Sequence, residues 1–375
     1  MTFAFWFSLS MLVYIYAGYP LLVWALARVF GREPHRADIT PTVSLLIPAY
    51  NEEAHIAAKL ENSLRLDYPT ARLEIVVASD GSTDRTTALA KQFQSRGIRL
   101  IALRDHVGKS DLLSRTVPLL QGEVVVFSDA SSELEPQALT CLVRPFADPR
   151  VGCVSGTYRL RRADDLRGQG EGAYWRYETF LKRQESRLHS ILGAHGACYA
   201  IRRALFQRLE SASINDDYLI PMRIVEYGAR AVYEPSAVSW EREAASMRGE
   251  FARRRRIAVG NCQQIVALRG LLNPLRGWIA WTFVSHKVLR TFAPLLMIAV
   301  LASSAWLPRP WEAIMLGGQL VFYGSALLGY GCQRRGVAMA WLSAPLYFCL
   351  GNLSMLAGLV KFCLNPKRPV WERAR

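Results

Sequence analysis

The sequence predicts an α/β domain built on a parallel sheet and held between membrane-spanning helices at the two ends of the chain. Three observations predict this. From Thr42 to Phe146 short apolar runs alternate with helical stretches. An uncharged stretch runs from Thr2 to Ala27, and three more long apolar segments lie near the C-terminus. The charged residues, 21% of the 375, are concentrated between these ends. Such segregation is unusual for a wholly soluble domain, and the length suffices for one α/β core plus membrane segments.

The Thr2–Ala27 stretch exceeds the roughly 20 apolar residues that a span needs. It lacks the basic start of a cleavable leader. Arg28, Arg32 and Arg36 follow it, which by the positive-inside rule puts the middle of the chain in the cytosol. The C-terminal segments run from Leu289 to Leu307, Trp311 to Gly331 and Val337 to Val360, broken by Pro308 and Pro310 and by Gln333–Gly336. Three spans would put the basic tail, Lys367–Arg375, outside. One apolar element is therefore expected to be interfacial or re-entrant, and Trp281–Arg290 is the candidate. The expected organisation is a first span over 1–30, a catalytic domain over 40–270, an interfacial helix over 271–288, spans over 289–363 and a tail over 364–375.

The net charge is +15. It fits juxtamembrane residues facing anionic lipid, or a site for an anionic diphosphate. A nucleic-acid partner is not expected, because the run Arg253–Arg256 has no interleaved aromatics. Seven cysteines without a CxxC pair point to a reduced compartment and no structural zinc.

Within the domain, Val43–Ile47, Leu73–Ala78, Ile98–Leu103 and Val124–Phe127 read as strands. Glu52–Leu66, Thr83–Gln94, Lys109–Leu120 and Pro136–Phe146 read as helices, the second capped by Ser82 or Thr83. Alternation of this kind implies a parallel sheet whose ligands bind at the strands' carboxyl ends. Those ends carry Pro48-Ala49-Tyr50-Asn51-Glu52-Glu53, Ser79-Asp80-Gly81-Ser82, His106-Val107-Gly108-Lys109-Ser110 and Ser128-Asp129-Ala130-Ser131. Each is an ordinary turn composition, but four polar loops on one edge make a nucleotide-sized crevice.

These loops, with VSLLIPAYNEE, EIVVASDGSTDRT and VVVFSDASS around them, resemble the family 2 glycosyltransferases over Val43–Leu268. The flanking apolar helices resemble those of membrane-bound members such as the cellulose, hyaluronan and poly-N-acetylglucosamine synthases. The resemblance implies the GT-A fold, a Rossmann-like nucleotide half joined to an acceptor half. It implies that Pro48, Tyr50 and Glu52 line a uridine pocket, that Asp80 accepts from the uracil N3–H, and that Lys109 lies near the donor's phosphates or sugar. A surface lysine at a helix start is the other reading of Lys109. Asp129 would hold Mg²⁺ or Mn²⁺ on the diphosphate. The second carboxylate of the family's D-x-D is Ser131 here, a weak ligand for a hard cation.

In the second half, Asn215-Asp216-Asp217 resembles the family's T-E-D, which implies Asp217 as catalytic base with Asp216 beside it. Helix capping by Asn215 or Asp216 is the competing explanation. Arg253-Arg254-Arg255-Arg256-Ile257 stands where the family has Q-x-x-R-W. Arg253 and Arg256 would contact the diphosphate, or the helix would lie on anionic lipid. Gly193–Tyr199, with His195 and Gly196, falls at the acceptor site. Ile257 lacks the flat face of the family's tryptophan, so one or a few additions are expected unless Trp175, Tyr199 or Trp240 replaces it.

The expected activity is inverting transfer from a nucleotide sugar, UDP-linked, to a growing exopolysaccharide or lipid-linked glycan at the inner membrane. Membrane lipid and other polysaccharide-export proteins are the expected further partners. The alternatives are a single-addition lipid glycosyltransferase and a catalytically silent nucleotide-sugar-binding subunit.

Overall fold

The computed structural model describes residues 1–161, 169–210, 213–242, 247–335, 337 and 339–364. The basic tail lies outside them. An eight-stranded sheet forms the centre, in the order β3-β2-β1-β4-β7-β6-β8-β5. Its strands are β1 (Val43–Ala49), β2 (Leu73–Asp80), β3 (Ile98–Leu103), β4 (Val124–Phe127), β5 (Glu133–Leu134), β6 (Val151–Arg161), β7 (Tyr199–Arg202) and β8 (Arg230–Arg242).

The first four strands are parallel, as the apolar runs between helices imply. Their neighbours alternate between faces: Leu45 and Ile47 pack into one core, Leu46 into the other. β7 then pairs antiparallel to β4, so the sheet changes sense beside Ser128 and Asp129. This reversal, and the long β6–β8 pair beyond it, were not expected from the sequence.

α3 (Ile56–Leu64), α4 (Thr86–Gln92), α5 (Lys109–Thr116) and α6 (Ala138–Val143) connect the first strands. The first two begin later than expected because their leading residues bind across to each other. The Asn51 carboxamide accepts from the Thr83 N–H (2.8 Å), and the Glu53 N–H donates to Asp84. The N-cap is Arg85 rather than Ser82 or Thr83, and the carboxylate of Asp84 just before it accepts from the Thr86 N–H (2.9 Å). α7 (Gln169–Leu188), α8 (Asp216–Glu226) and α9 (Met247–Ala267) cover the second half.

Four helices are long and apolar enough to cross a membrane: Thr2–Phe30, Trp278–Ser304, Trp311–Arg334 and Trp341–Leu364. The first joins α1 (Thr2–Val13) to α2 (Tyr19–Phe30) through a π-turn. The second joins α10 (Trp278–Thr282) to α11 (Leu289–Ser304) in the same way. α12 (Trp311–Arg334) and α13 (Ala340–Leu364) follow.

The separate interfacial helix expected over 271–288 is therefore corrected: from Trp278 the helix runs on unbroken to Ser304. His286, Lys287 and Arg290 look like a break in an apolar run, but the structure turns them inward. His286 bonds the Glu185 carboxylate (2.6 Å), which also accepts from the Tyr19 hydroxyl (2.6 Å). Arg290 pairs with Glu178. This buried network fastens α7 of the domain to two apolar helices, the usual way that ionisable groups are tolerated there.

Candidate active site

Beyond the carboxyl ends of β1 and β3 the Tyr50 and His106 rings stack, 3.9 Å between centroids. Pro48 lies in β1, and the Glu52 N–H donates to the Thr86 hydroxyl (2.7 Å). Asp80, at 1% exposure, accepts from the N–H groups of Val107 and Gly108, 2.9 Å each, and meets His106 Nδ1 at 2.9 Å. Asp80 is thus first a loop anchor. The expected bond to a base imide has only the remaining lone pairs of a buried side chain. By holding the 106–108 loop, Asp80 fixes the start of α5, whose first residue is Lys109.

Lys109 reaches into a cluster of carboxylates. Its ammonium lies 2.9 Å from Asp129 Oδ1 and 3.3 Å from Asp216 Oδ2. The surface-lysine reading of Lys109 is accordingly set aside. Asp216 is buried and Asp217 partly exposed in the first turn of α8, where the helix N-terminus favours negative charge.

The local sequence explains how the acceptor-side loop is brought against Asp217. Pro221 has no N–H, so the Asp217 carbonyl lacks its partner inside the helix. It accepts instead from the Ala194 N–H (2.9 Å). Gly193, at φ +95°, passes so close to Tyr218 that a Cβ would lie 2.4 Å from its ring. The Gly196 N–H then donates to Asp217 Oδ2 (3.1 Å). A Cβ on Gly196 would meet Asp129 Oδ2 at 3.0 Å and Asp217 Oδ2 at 3.5 Å, so glycine lets the backbone pass between the two carboxylates.

Lys59 was missed by sequence reasoning. It falls on the buried stripe of α3 with Ile56, Leu60 and Ser63, and that placement was the available signal. Its ammonium donates to the Ser128 hydroxyl (2.7 Å) and the Ser132 carbonyl (2.8 Å), and Ser128 donates to the Ala197 carbonyl (2.8 Å). Lys59 thereby props the Asp129 loop against the Gly193–Ala197 loop.

The electrostatics separate the carboxylates. Burial pushes the Asp129 carboxyl up, but Lys109 more than reverses this and holds it below its usual value. Burial would lower Lys109, and Asp129 with Asp216 overturns that, so the ammonium is firmly charged. Asp217 is raised to about 6 by burial and by Asp216, with Lys109 pulling the other way. Asp129 is thus held down while Asp216 and Asp217 are both pushed up, the pattern expected where a carboxylate of the cluster takes up a proton.

Asp129 presents a carboxylate oxygen opposite the one held by Lys109. The Ser131 hydroxyl is committed to Glu241 Oε1 (2.8 Å). No group of three or more His, Cys, Asp or Glu poised to hold a metal occurs among the described residues. The Ser131 hydroxyl thus links the Asp129 loop to Glu241, a carboxylate that sequence reasoning had not considered, and keeps its oxygen lone pairs for a cation. One carboxylate plus a substrate's diphosphate still fits magnesium, which keeps several non-protein ligands.

On α9, Arg256 is within electrostatic reach of Asp216, Asp217 and Asp129. Arg253 and Ile257 line a cavity beside the cluster. The Ile257 carbonyl also accepts from the Asn215 carboxamide (3.2 Å). His195 stacks on Tyr158 (4.0 Å), and its Nδ1 accepts from the Ala197 N–H. Burial first, then Lys182, depresses its pKa to about 3, so it is a neutral, packed ring. Of the three substitute platforms, Tyr199 is 0% exposed and stacked on Phe127, and Trp240 donates to Glu135. Trp175 lines the cavity.

A mixed sheet with a nucleotide-type crevice on its parallel half and a carboxylate cluster where it changes sense is the architecture of a GT-A glycosyltransferase. The structure is similar to that of the mannosyltransferase PcManGT from Pyrobaculum calidifontis in complex with GDP-Man and Mn²⁺. The TM-score is 0.73 and the identity 24%, over 96% of this chain and 99% of that one, which establishes the fold. Residues 44–210 match the model of glycosyl transferase family 2.

Among curated relatives, the chain is 28% identical over 253 residues to a probable glycosyltransferase, YdaM, of Bacillus subtilis, covering 62% of this chain and 57% of that one. It is 30% identical over 217 residues to a β-monoglucosyldiacylglycerol synthase of Nostoc sp., covering 54% and 46%. It is 24% identical over 270 residues to a poly-β-1,6-N-acetyl-D-glucosamine synthase of Staphylococcus epidermidis, covering 70% and 62%. The chain thus spans about half to three fifths of the length of these relatives.

Proposed function

We propose that this chain is an inverting glycosyltransferase that moves a sugar from a UDP-linked donor to a hydroxyl acceptor at the membrane, with its domain on the cytosolic side of the inner membrane. The observation that carries the reading is the cluster of Lys109, Asp129, Asp216 and Asp217, with Asp217 the accessible, proton-attracting member. The relatives named as glycosyltransferases and glycan or glycolipid synthases support it. The positive residues after the first helix, Arg28, Arg32 and Arg36, support the orientation.

In the reaction the acceptor oxygen bonds to the anomeric carbon as the bond from that carbon to the donor's phosphate breaks. The electron pair leaves with the diphosphate, and the acceptor proton passes to Asp217. Lys109 and Arg256 place fixed positive charge beside the departing diphosphate. Pro48, Tyr50 and Glu52 line the nucleoside end, with Asp80 holding the Lys109 loop. A Mg²⁺ or Mn²⁺ held by Asp129 and the diphosphate would supply Lewis-acid stabilisation of the leaving group.

The test is a panel of labelled nucleotide sugars given to the full chain in nanodiscs. A UDP-sugar should be consumed, EDTA should abolish turnover, and Mg²⁺ or Mn²⁺ should restore it. Release of nucleotide from no donor would remove the transferase reading, and full turnover after exhaustive chelation would remove the metal.

Ile257 offers no flat face to a terminal sugar, Tyr199 is sealed in the core and Trp240 is bonded to Glu135, which leaves Trp175 in the cavity wall as the one aromatic of the three placed to hold a sugar instead. One or a few additions per acceptor are proposed. Sizing products against time checks this: long polymer formed while most acceptor is unused would contradict it.

A further inference from the structure

We propose that the acceptor is an anionic phospholipid carrying a headgroup hydroxyl, seated with its phosphate on Lys287 in a cavity between α9 and the apolar helices. The proposal rests on the transferase reading above and names its acceptor class. The cavity measures about 370 Å³, within the range of small-ligand sites and suited to a headgroup rather than a whole lipid.

Its position joins membrane to chemistry. Tyr16, Thr291 and Phe348 contribute walls from three of the four helices that could span a membrane. Ile257 and Asn261 of α9 form another wall, and both accept from the Asn215 carboxamide, at 3.2 and 3.4 Å. Asn215 stands two residues before Asp217. From the other side, Trp175 lines the cavity and meets His195 edge-on at 5.3 Å. His195 precedes Gly196, whose N–H holds Asp217. A headgroup in this space would abut the base from both directions.

Its charge selects an anion. Arg253, Arg254, Lys287 and Arg290 line it against one carboxylate, Glu178, which is paired with Arg290. Among the described residues the Lys287 ammonium has no hydrogen-bond or ion-pair partner, its carbonyl alone accepting from the Thr291 hydroxyl (2.8 Å). Its ammonium lies 5.2 Å from the centroid of the Tyr218 ring, the residue after Asp217. A cation removed from water without a partner is costly, and a bound phosphate recovers that cost. A neutral glycan or a diacylglycerol would leave this charge uncompensated. Tyr347, Phe348 and Met355 on α13 supply the apolar wall along which an acyl chain can leave. A phosphate on Lys287 fixes the headgroup so that its hydroxyl can face Asp217, which a base is needed to deprotonate.

The test uses the full chain in nanodiscs containing photoactivatable phosphatidylglycerol or photoactivatable diacylglycerol, with crosslinks mapped by mass spectrometry. Phosphatidylglycerol should label cavity residues of α9 and α13. Labelling should fall about ten-fold in Lys287→Glu, the scale of losing one charge-assisted contact, and persist in Lys287→Arg. Equal labelling of the cavity by diacylglycerol, or undiminished labelling of folded Lys287→Glu, would overturn the proposal. Nucleotide release is read in the same discs. Labelling without turnover from any donor would remove the transferase reading and retain the lipid site. Turnover on diacylglycerol with no phosphatidylglycerol in the cavity would do the reverse.

Discussion

Replacing Asp217 with asparagine should lower turnover by about 10²-fold or more, the scale of losing a general base. The substitution is nearly isosteric, and the carboxamide oxygen can still accept the Gly196 N–H that Asp217 Oδ2 now accepts. The Ala194 bond goes to the backbone carbonyl and is untouched. Donor binding and the fold should therefore survive, so the loss should appear in kcat. The pH profile gives a second, independent reading. Asp217 is raised to about 6, so in the native enzyme the base is protonated below that value and ionised above it. Turnover should fall as pH drops through about 6, rather than near the usual carboxylate value of about 4. In Asp217→Asn this acid limb should vanish from the residual rate. Turnover within a few-fold of the native enzyme, or an unchanged acid limb, would assign the base elsewhere.

The parallel half of the fold was legible because its strands are buried on both faces and read as continuous apolar runs such as Val43–Ile47 and Val124–Phe127. The mixed half, where β7 runs antiparallel to β4 and β6 while β6 and β8 pair in parallel, was not. β7 is only four residues, and β6 and β8 carry Gly152, Gly156 and Pro235 at or near register shifts that break any alternating pattern. At the site, the strand-end loops and the family resemblance pointed to Lys109, Asp129 and Asp217, and the structure sets Asp129 and Asp216 on the Lys109 ammonium with Asp217 within its electrostatic reach. What a linear sequence could not show is which bonds are already taken. Asp80 and Ser131 carry the expected chemistry, but the amides of the 106–108 loop and the Glu241 carboxylate claim them. Glu241 lies 110 positions from Ser131, and Lys59 lies 69 from Ser128, so neither partnership has a local signature. The inward turn of His286 and Arg290 was hidden for the same reason: their partners, Glu185 and Glu178, sit on α7, 101 and 112 positions away.

Replacing Lys109 with methionine should be as damaging as loss of the base, by a different route. The ammonium is the cation that bridges Asp129 and Asp216. Without it three neighbouring carboxylates face one another, and positive charge beside the leaving diphosphate is lost. Removing one preorganised electrostatic group costs about 10²–10³ in kcat. Because Lys109 pulls the Asp217 pKa down, its removal should also shift the acid limb upward, with less base ionised at neutral pH. Breaking a buried pair destabilises by about 3–5 kcal/mol; a loss near the low end, about 3 kcal/mol, is expected because the Asp129 side chain is a third exposed. Lys109→Arg keeps the charge and should keep most of the stability. The decisive variant is Lys109→Met with Asp129→Asn. It removes a charge of each sign, so unfolding measurements should show stability regained relative to Lys109→Met alone, a coupling between contacting residues. Turnover should not return, since the diphosphate would then have neither partner. Recovery of activity along with stability would show that Lys109 serves only to neutralise Asp129 and contributes nothing to the transfer itself.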